Sequence, residues 1–414
     1  MNVETLRRLT SPDGRALLEE ATRSYAIENE FALGTRLRRH HDGELVAAAL
    51  TQARLRSRAV AKFAPDDAAR MFFTVDGYEQ ATRASVATHR AARIASATGP
   101  ALDLCCGIGG DLISLARAGL DVTGIEADEL TADIARLNIE ALGLGARARV
   151  LTADATAVDR TPFTVVTCDP SRRTARGRSF DVDAYQPSWP FVLDLLAEDS
   201  CVKVAPGIPR DRIPAGVEAE WISDDGDVKE AALWSGVLAE PGVRCRATIL
   251  VSNREADPCK READPAFCPG PSSRSVNALT DADDPGTAEI GPPGRFLYEP
   301  DGAVIRSGLV TAVAALTGGW LLDPSIAYIS SDTLAPTPFA RGFEITDVLP
   351  YDVKKLRRYV RERGIGTLTI KKRGVDVEPD QLRRTLRPDG TASATLVVTR
   401  VAGRATVIAA TPLS

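Results

Sequence analysis

The 414-residue chain has no apolar run close to the ~18 residues that a membrane-spanning helix requires. Its longest, Val46 to Leu50 and Ala312 to Leu316, fall far short. The first residues, Met1-Asn-Val-Glu-Thr5, lack the basic, then apolar, cleavable pattern of an export signal. A cytoplasmic protein without membrane contact is therefore expected. The seven cysteines are an odd number, and Cys105, Cys106, Cys168, Cys201 and Cys245 lie in apolar, strand-like stretches, as small buried hydrophobes do. Cys259 and Cys268 have no second Cys or His pair beside them to complete a tetrahedral site, so no structural metal is expected.

What is present is an ordinary globular composition, 44% hydrophobic and 26% charged, in a chain long enough for two or three domains. The net charge of -5 is unevenly spread. Residues 1–95 hold 15 Lys/Arg against 12 Asp/Glu, residues 96–340 hold 21 against 36, and residues 341–414 hold 15 against 8. A basic end on an acidic middle suits a nucleic-acid-binding appendage on a catalytic domain, and suits a solvated surface as well.

Apolar residues at helical spacing, such as Leu6 and Leu9 or Val46, Ala49, Leu50 and Ala53, predict a helical domain over 1–95. From Ala101 short β-branched runs alternate with helical segments: Ala101 to Cys106, Val122 to Glu126, Arg149 to Asp154, Phe163 to Asp169 and Cys201 to Ala205. That alternation predicts βαβ units and a mostly parallel sheet over 96–252. Two late strands, Val217 to Ile222 and Arg244 to Val251, with an acidic turn at Asp224-Asp-Gly-Asp227 between them, are joined without a long helix and predict an antiparallel edge. Residues 253–292, rich in Pro, Asp, Ser and Gly, read as a linker or disordered loop. Beyond them a small α+β region carries a basic helix, Val353 to Arg363.

The first predicted strand ends in Asp103-Leu-Cys105-Cys-Gly107-Ile-Gly109-Gly110 and runs directly into an apolar helix. Glycines at 107 and 109 allow a tight turn and close approach of a ligand, and the helix N-terminus offers unpaired N–H donors. A dinucleotide-binding turn wants a third glycine at 112, where this chain has Leu112. An acid four residues before the first glycine opposes a pyrophosphate and suits the amino group of a methionine moiety. Glu126, nineteen residues after Gly107, can accept both ribose hydroxyls at a strand end. Asp154, followed by Ala155, either accepts an adenine amino group or caps a helix. Asp169-Pro170-Ser-Arg172-Arg173 closes the fourth strand, where Asp169 and the Pro170 carbonyl can orient an amine toward a transferable methyl. Arg172 and Arg173 can grip phosphate, and Tyr185 either stacks on a base or packs in the core.

These motifs resemble class I S-adenosylmethionine-dependent methyltransferases over roughly 96–252. Asp169-Pro-Ser-Arg-Arg, Phe72-Phe-Thr-Val-Asp-Gly-Tyr-Glu-Gln-Ala-Thr-Arg83 and Ile370-Lys-Lys-Arg-Gly-Val-Asp-Val377 look like those of bacterial THUMP-like-domain methyltransferases. The resemblance implies an α/β fold with a Rossmann-like seven-stranded core, a ferredoxin-like segment at 293–340 and a THUMP-like domain at 341–414. It implies S-adenosylmethionine held by Asp103, Cys105, Gly107, Gly109, Glu126, Asp154 and Ala155, with Asp169 and Pro170 catalytic. It also implies a base in tRNA or rRNA as substrate, contacted by Arg172, Arg173, Tyr185, Lys371, Lys372 and Arg373. One departure stands out. Enzymes that methylate nucleic-acid amines commonly have a second Pro and then an aromatic, where this chain has Ser171 and Arg172. A small-molecule methyltransferase and a non-catalytic RNA-binding protein that keeps the fold are the alternatives.

Overall fold

A computed structural model describes residues 1–171, 173–174, 177–178, 182–252 and 274–413, with 173–174 and 177–178 described by their backbone alone. Seven helices come first: α1 Val3–Thr10, α2 Pro12–Tyr25, α3 Glu30–Leu37, α4 Gly43–Ala59, α5 Pro65–Arg70, α6 Val75–Gln80 and α7 Ala84–Ile94. Their starts follow the sequence chemistry. The side chains of Asn2, Ser11, Asn29, Asp42 and Thr74 each accept a hydrogen bond from a first-turn N–H.

A nine-stranded sheet follows, built from β1 Ala101–Leu104, β2 Val122–Glu126, β3 Ala148–Thr152, β4 Val165–Cys168, β5 Ser200–Val204, β6 Glu218–Asp224, β7 Asp227–Trp234, β8 Cys245–Ser252 and β9 Arg274–Thr280. Its spatial order is β3-β2-β1-β4-β5-β7-β6-β8-β9. Strands β1 to β5 pair in parallel, and β7 runs antiparallel to β5. The seven strands expected are thus extended by two more. Strand β7 was not anticipated, because the acidic turn at Asp224 hides it, and β9 lies inside the stretch read as a linker. Of that stretch, 253–273, with Cys259 and Cys268, lies outside the described residues.

The chain forms two compact units. One comprises 1–219, 230–241 and 252–274, and the other 220–229, 242–251 and 275–414. The N-terminal helices are bonded into the first unit. Helix α8 Gly110–Arg117 carries Arg117, which forms a two-pronged ion pair with Asp67, at 2.6 and 2.7 Å. The extended Phe72–Phe73 stretch is clamped by two fully buried amides. Gln52 Nε2 donates to Phe73 O (2.6 Å) and its Oε1 accepts from Phe73 N (3.0 Å). Asn138, on α9 Glu129–Ala141, accepts from Phe72 N (2.7 Å) and donates to Phe72 O (3.1 Å) and to Ile108 O in the glycine turn (2.9 Å). Each amide thus serves as a one-residue substitute for a neighbouring strand. Asn138→Ala would leave three buried backbone groups unbonded, and a loss of about 3 kcal/mol in urea unfolding is expected.

The second unit contains helix α10 Gly302–Ser307 and a seven-stranded sheet of β10 Phe296–Pro300, β11 Trp320–Asp323, β12 Ile326–Ser331, β13 Ala340–Pro350, β14 Ile365–Lys372, β15 Ala392–Val401 and β16 Arg404–Pro412, in the order β11-β12-β10-β13-β16-β15-β14. The period of two along β15 and β16 sends Leu396, Val398, Val407 and Ala409 to one face and Val397, Ile408 and Ala410 to the other. The first face packs Leu356 and Val360 of α11 Val353–Glu362 and Leu382 and Leu386 of α12 Pro379–Leu386. Strands β10 and β13 pair antiparallel, Phe296 opposite Glu344, so residues 293–340 and 341–414 contribute to one sheet.

Candidate active site

Strand β1 has β2 on one side and β4 on the other, so the crossovers leave in opposite directions and a crevice opens at the strand ends. A cavity of about 600 Å³ lies there, within the size range of small-ligand sites. The glycine turn forms one wall. Cys105, Gly107 and Gly109 take φ of 61°, 56° and 89°, left-handed values that glycine adopts freely and cysteine does not. Gly109 is the N-cap of α8. The helix can sit close although position 112 is leucine, because the small residue lies opposite. A Cβ on Gly124 of β2 would meet Cys106 Sγ at 2.9 Å and Leu112 Cδ2 at 3.0 Å.

Asp103 is buried at the end of β1, opposite Thr167 of β4, whose hydroxyl donates to Oδ1 (2.7 Å). Its Oδ2 is buried and lacks a hydrogen-bond partner. Burial, reinforced by the charge of Asp111, pushes the Asp103 carboxyl up to about 7. A buried acceptor of this kind, on the wall of a cavity, fits an alkylammonium group. Glu126 is held at the end of β2 by Gly107 N and Asp128 N, both at 3.0 Å, with lone pairs left for ribose hydroxyls. Asp154 caps the short helical turn Ala155–Ala157 through Thr156 N and Oγ1, both at 2.8 Å, so the capping role is realised; it also lines the cavity, as does Ala155. The residues therefore fit the aminoacyl and nucleoside ends of S-adenosylmethionine.

Asp169 and Pro170 stand across the cavity with Ser171. Ser171 N donates to Gln186 O (2.7 Å), a bond that a second proline would forfeit. Asp169 Oδ2 accepts from Lys203 Nζ at 2.5 Å. Lys203 was not anticipated. It is a buried ammonium on β5 that also donates to Thr82 Oγ1 (2.7 Å) and lies 4.0 Å from Glu230. Thr82 in turn donates to Asp111 Oδ2 (2.9 Å), and Arg90 of α7 bonds Asp111 Oδ1 (2.6 Å). Arg90 Nε lies 2.6 Å from Glu230 Oε1 without its N–H aimed at the oxygen, a contact of charge. Burial would discharge Lys203, but Asp169, Glu230 and Asp111 outweigh it and raise its pKa, so the ammonium persists. Burial likewise favours a protonated Asp111, yet Arg90 and Lys203 hold its carboxyl below the usual value.

On the tail, the three residues expected to contact substrate each have a partner within the protein. Lys371 pairs with Glu299 (2.5 Å), Lys372 with Glu378 (2.6 Å), and Arg373 donates to Ala327 O (3.3 Å) while lying over the Tyr328 ring. These strand residues meet acids contributed by other elements, which the local basic run could not reveal. Tyr185 is buried, edge-on to Trp189, and its hydroxyl accepts from Ala205 N (3.0 Å); it packs the core and has no free face for a base. Arg172 lies outside the described residues, as does the side chain of Arg173. Among the described residues no His, Cys, Asp and Glu group is arranged to hold a metal, and no helix is long and apolar enough to cross a membrane.

The strand order, the reversed β7 and the glycine turn define a class I methyltransferase fold. Family models agree: residues 101–174 match a methyltransferase domain, 340–412 a THUMP domain-like family, and 2–59 a domain of unknown function. An uncharacterized S-adenosylmethionine-dependent methyltransferase of Mycobacterium tuberculosis, found in strains CDC 1551 and H37Rv, is 37% identical over 339 residues, covering 80% of this chain and 84% of that protein. A crystal structure from Porphyromonas gingivalis W83 shares the fold with a TM-score of 0.72 at 20% identity, over 96% of this chain and 98% of that one. The chain belongs to the S-adenosylmethionine-dependent methyltransferases with a THUMP-like domain, and its methyl donor is S-adenosylmethionine.

Proposed function

We propose that this enzyme methylates RNA, tRNA or rRNA, in the cytoplasm. The cofactor supplies a methyl group on a sulfonium that leaves as a neutral thioether. Asp103 holds its ammonium, Glu126 its ribose and Asp154 with Ala155 its base, while Asp169 and Pro170 face the acceptor. The observation that carries the RNA reading is the outer face of α11. Lys354, Arg357, Arg358 and Arg361 recur at helical spacing, all exposed, while Leu356 and Val360 are buried beneath. Their one acidic neighbour in the helix, Glu362, approaches Arg358 only to 3.8 Å between two exposed side chains. Such a stripe sets several cations on one face, as contact with a phosphate backbone requires. THUMP-like assignment of the same region supports the reading.

The test is transfer of labelled methyl from S-adenosylmethionine to RNA taken from a strain lacking the gene. For the interface, Arg357→Ala with Arg361→Ala is expected to weaken RNA binding about tenfold and to flatten the plot of log affinity against log salt by roughly 1.4. S-adenosylmethionine affinity stays unchanged. Full RNA affinity in that variant would remove the helix from the interface.

A further inference from the structure

We propose that the group methylated is a hydroxyl, the ribose 2′-hydroxyl of an RNA nucleotide, with Lys203 and Asp169 both touching the acceptor oxygen. This rests on the RNA reading above and narrows it. Two independent observations carry it. The first is the pairing of an ammonium donor and a carboxylate acceptor 2.5 Å apart on the cavity wall. The second is that no aromatic residue lines the cavity among the described residues.

The two acceptor chemistries ask for different walls. An exocyclic amine needs only acceptors for its N–H groups, and its nitrogen gains positive charge as the methyl arrives, so a fixed ammonium beside it is of no use. A hydroxyl is a poor nucleophile until its proton is drawn away. It calls for an acceptor for that proton and a donor to the oxygen as charge builds on it. Lys203 and Asp169 supply that pair. A lysine has three N–H donors; Thr82 and Asp169 take two, and the ammonium borders the cavity, so a third can reach the acceptor oxygen. Enclosing an ammonium here is expensive unless its partners hold it, and Thr82, Asp169 and Glu230 come from three separate segments to do so. The lining among the described residues points the same way. A base swung out of its stack is commonly held against an aromatic face, and here Ser171 and Gln186 stand beside Pro170 instead. A ribose needs no such platform.

In the step, an oxygen lone pair forms the new bond to the methyl carbon while sulfur keeps the electron pair of the bond that breaks. The hydroxyl proton passes to the Asp169 carboxylate. Lys203 keeps its protons and shares one with the oxygen throughout, and the total charge is unchanged.

The test takes the full-length enzyme, S-adenosylmethionine with a labelled methyl group and RNA from a strain lacking the gene, then digests the RNA with alkali. Label in alkali-resistant dinucleotides is expected, because a 2′-O-methyl group blocks cleavage. Label in a base overturns the hydroxyl assignment and leaves the RNA reading standing. Absence of label from all RNA overturns that reading and this inference with it. Lys203→Met is expected to lower kcat at least 100-fold, with S-adenosylmethionine affinity by calorimetry within about threefold and Lys203→Arg restoring part of the rate. A Lys203→Met enzyme with unchanged kcat overturns the role of the ammonium, and the alkali test on the unaltered enzyme stands even if that variant fails to fold.

Discussion

Asp169→Asn is expected to lower kcat on RNA by about 10²–10⁴-fold while S-adenosylmethionine affinity, measured by calorimetry, changes less than about threefold. The substitution is nearly isosteric and keeps an oxygen toward Lys203, so the bond now at 2.5 Å can re-form. It removes the negative charge and the capacity to take a proton. Glu230 and Asp111 remain near Lys203, so the ammonium keeps anionic neighbours and the fold is retained. Single-turnover rates across pH separate the possibilities. If the carboxylate only aligned an amine, an amide oxygen would serve nearly as well, and a variant within tenfold of the parent would show that Asp169 accepts no proton.

The parts of this site that were legible in the sequence are those written in consecutive residues. Asp103, Gly107 and Gly109 lie within one strand and turn, and nineteen residues carry the chain through one helix and back to Glu126, so spacing alone places them together. Asp169-Pro170 marks itself by closing a β-branched run. What spacing could not give is the network behind Asp169, because its members come from different elements. Thr82 precedes α7, Arg90 lies within it, and Glu230 sits on a strand that the acidic turn concealed. Lys203 did leave one signal: a lysine among Cys201, Val202, Val204 and Ala205, in a strand whose neighbours lie on both sides. Strands of parallel sheets are apolar nearly throughout, so a cation inside one must meet buried acids. The basic run Lys371-Lys-Arg373 shows the converse. Its charge was visible, but its partners Glu299 and Glu378 were not, and the exposed stripe on α11 offers the freer cations.

The second large effect concerns pH. Asp103 in the folded protein titrates near 7, against 3.8 for an ordinary aspartate, because its carboxyl is buried and faces Asp111. Between those two values the folded, ligand-free protein retains a proton that the unfolded chain has released. Stability contributed by Asp103 therefore declines as pH rises from about 4 to about 7, and the decline is complete above that. Ligand binding has the opposite dependence. The buried Oδ2 can pair with an ammonium only when the carboxyl is ionised, so S-adenosylmethionine should bind roughly fivefold more tightly at pH 7.4 than at pH 6 and release close to one proton at the lower pH. The ligand's own α-amino group, with an ordinary pKa of about 7.7 to 8.0, is already losing its proton at pH 7.4, so affinity should peak near that pH and fall above it. Calorimetry in two buffers of different ionisation enthalpy reads both the affinity and the proton count. In Asp103→Asn the rise between pH 6 and pH 7.4 should vanish and affinity at pH 7.4 should drop about tenfold, while the decline at higher pH persists because it belongs to the ligand. A pH-independent affinity in the unaltered enzyme would mean that the ammonium is held elsewhere.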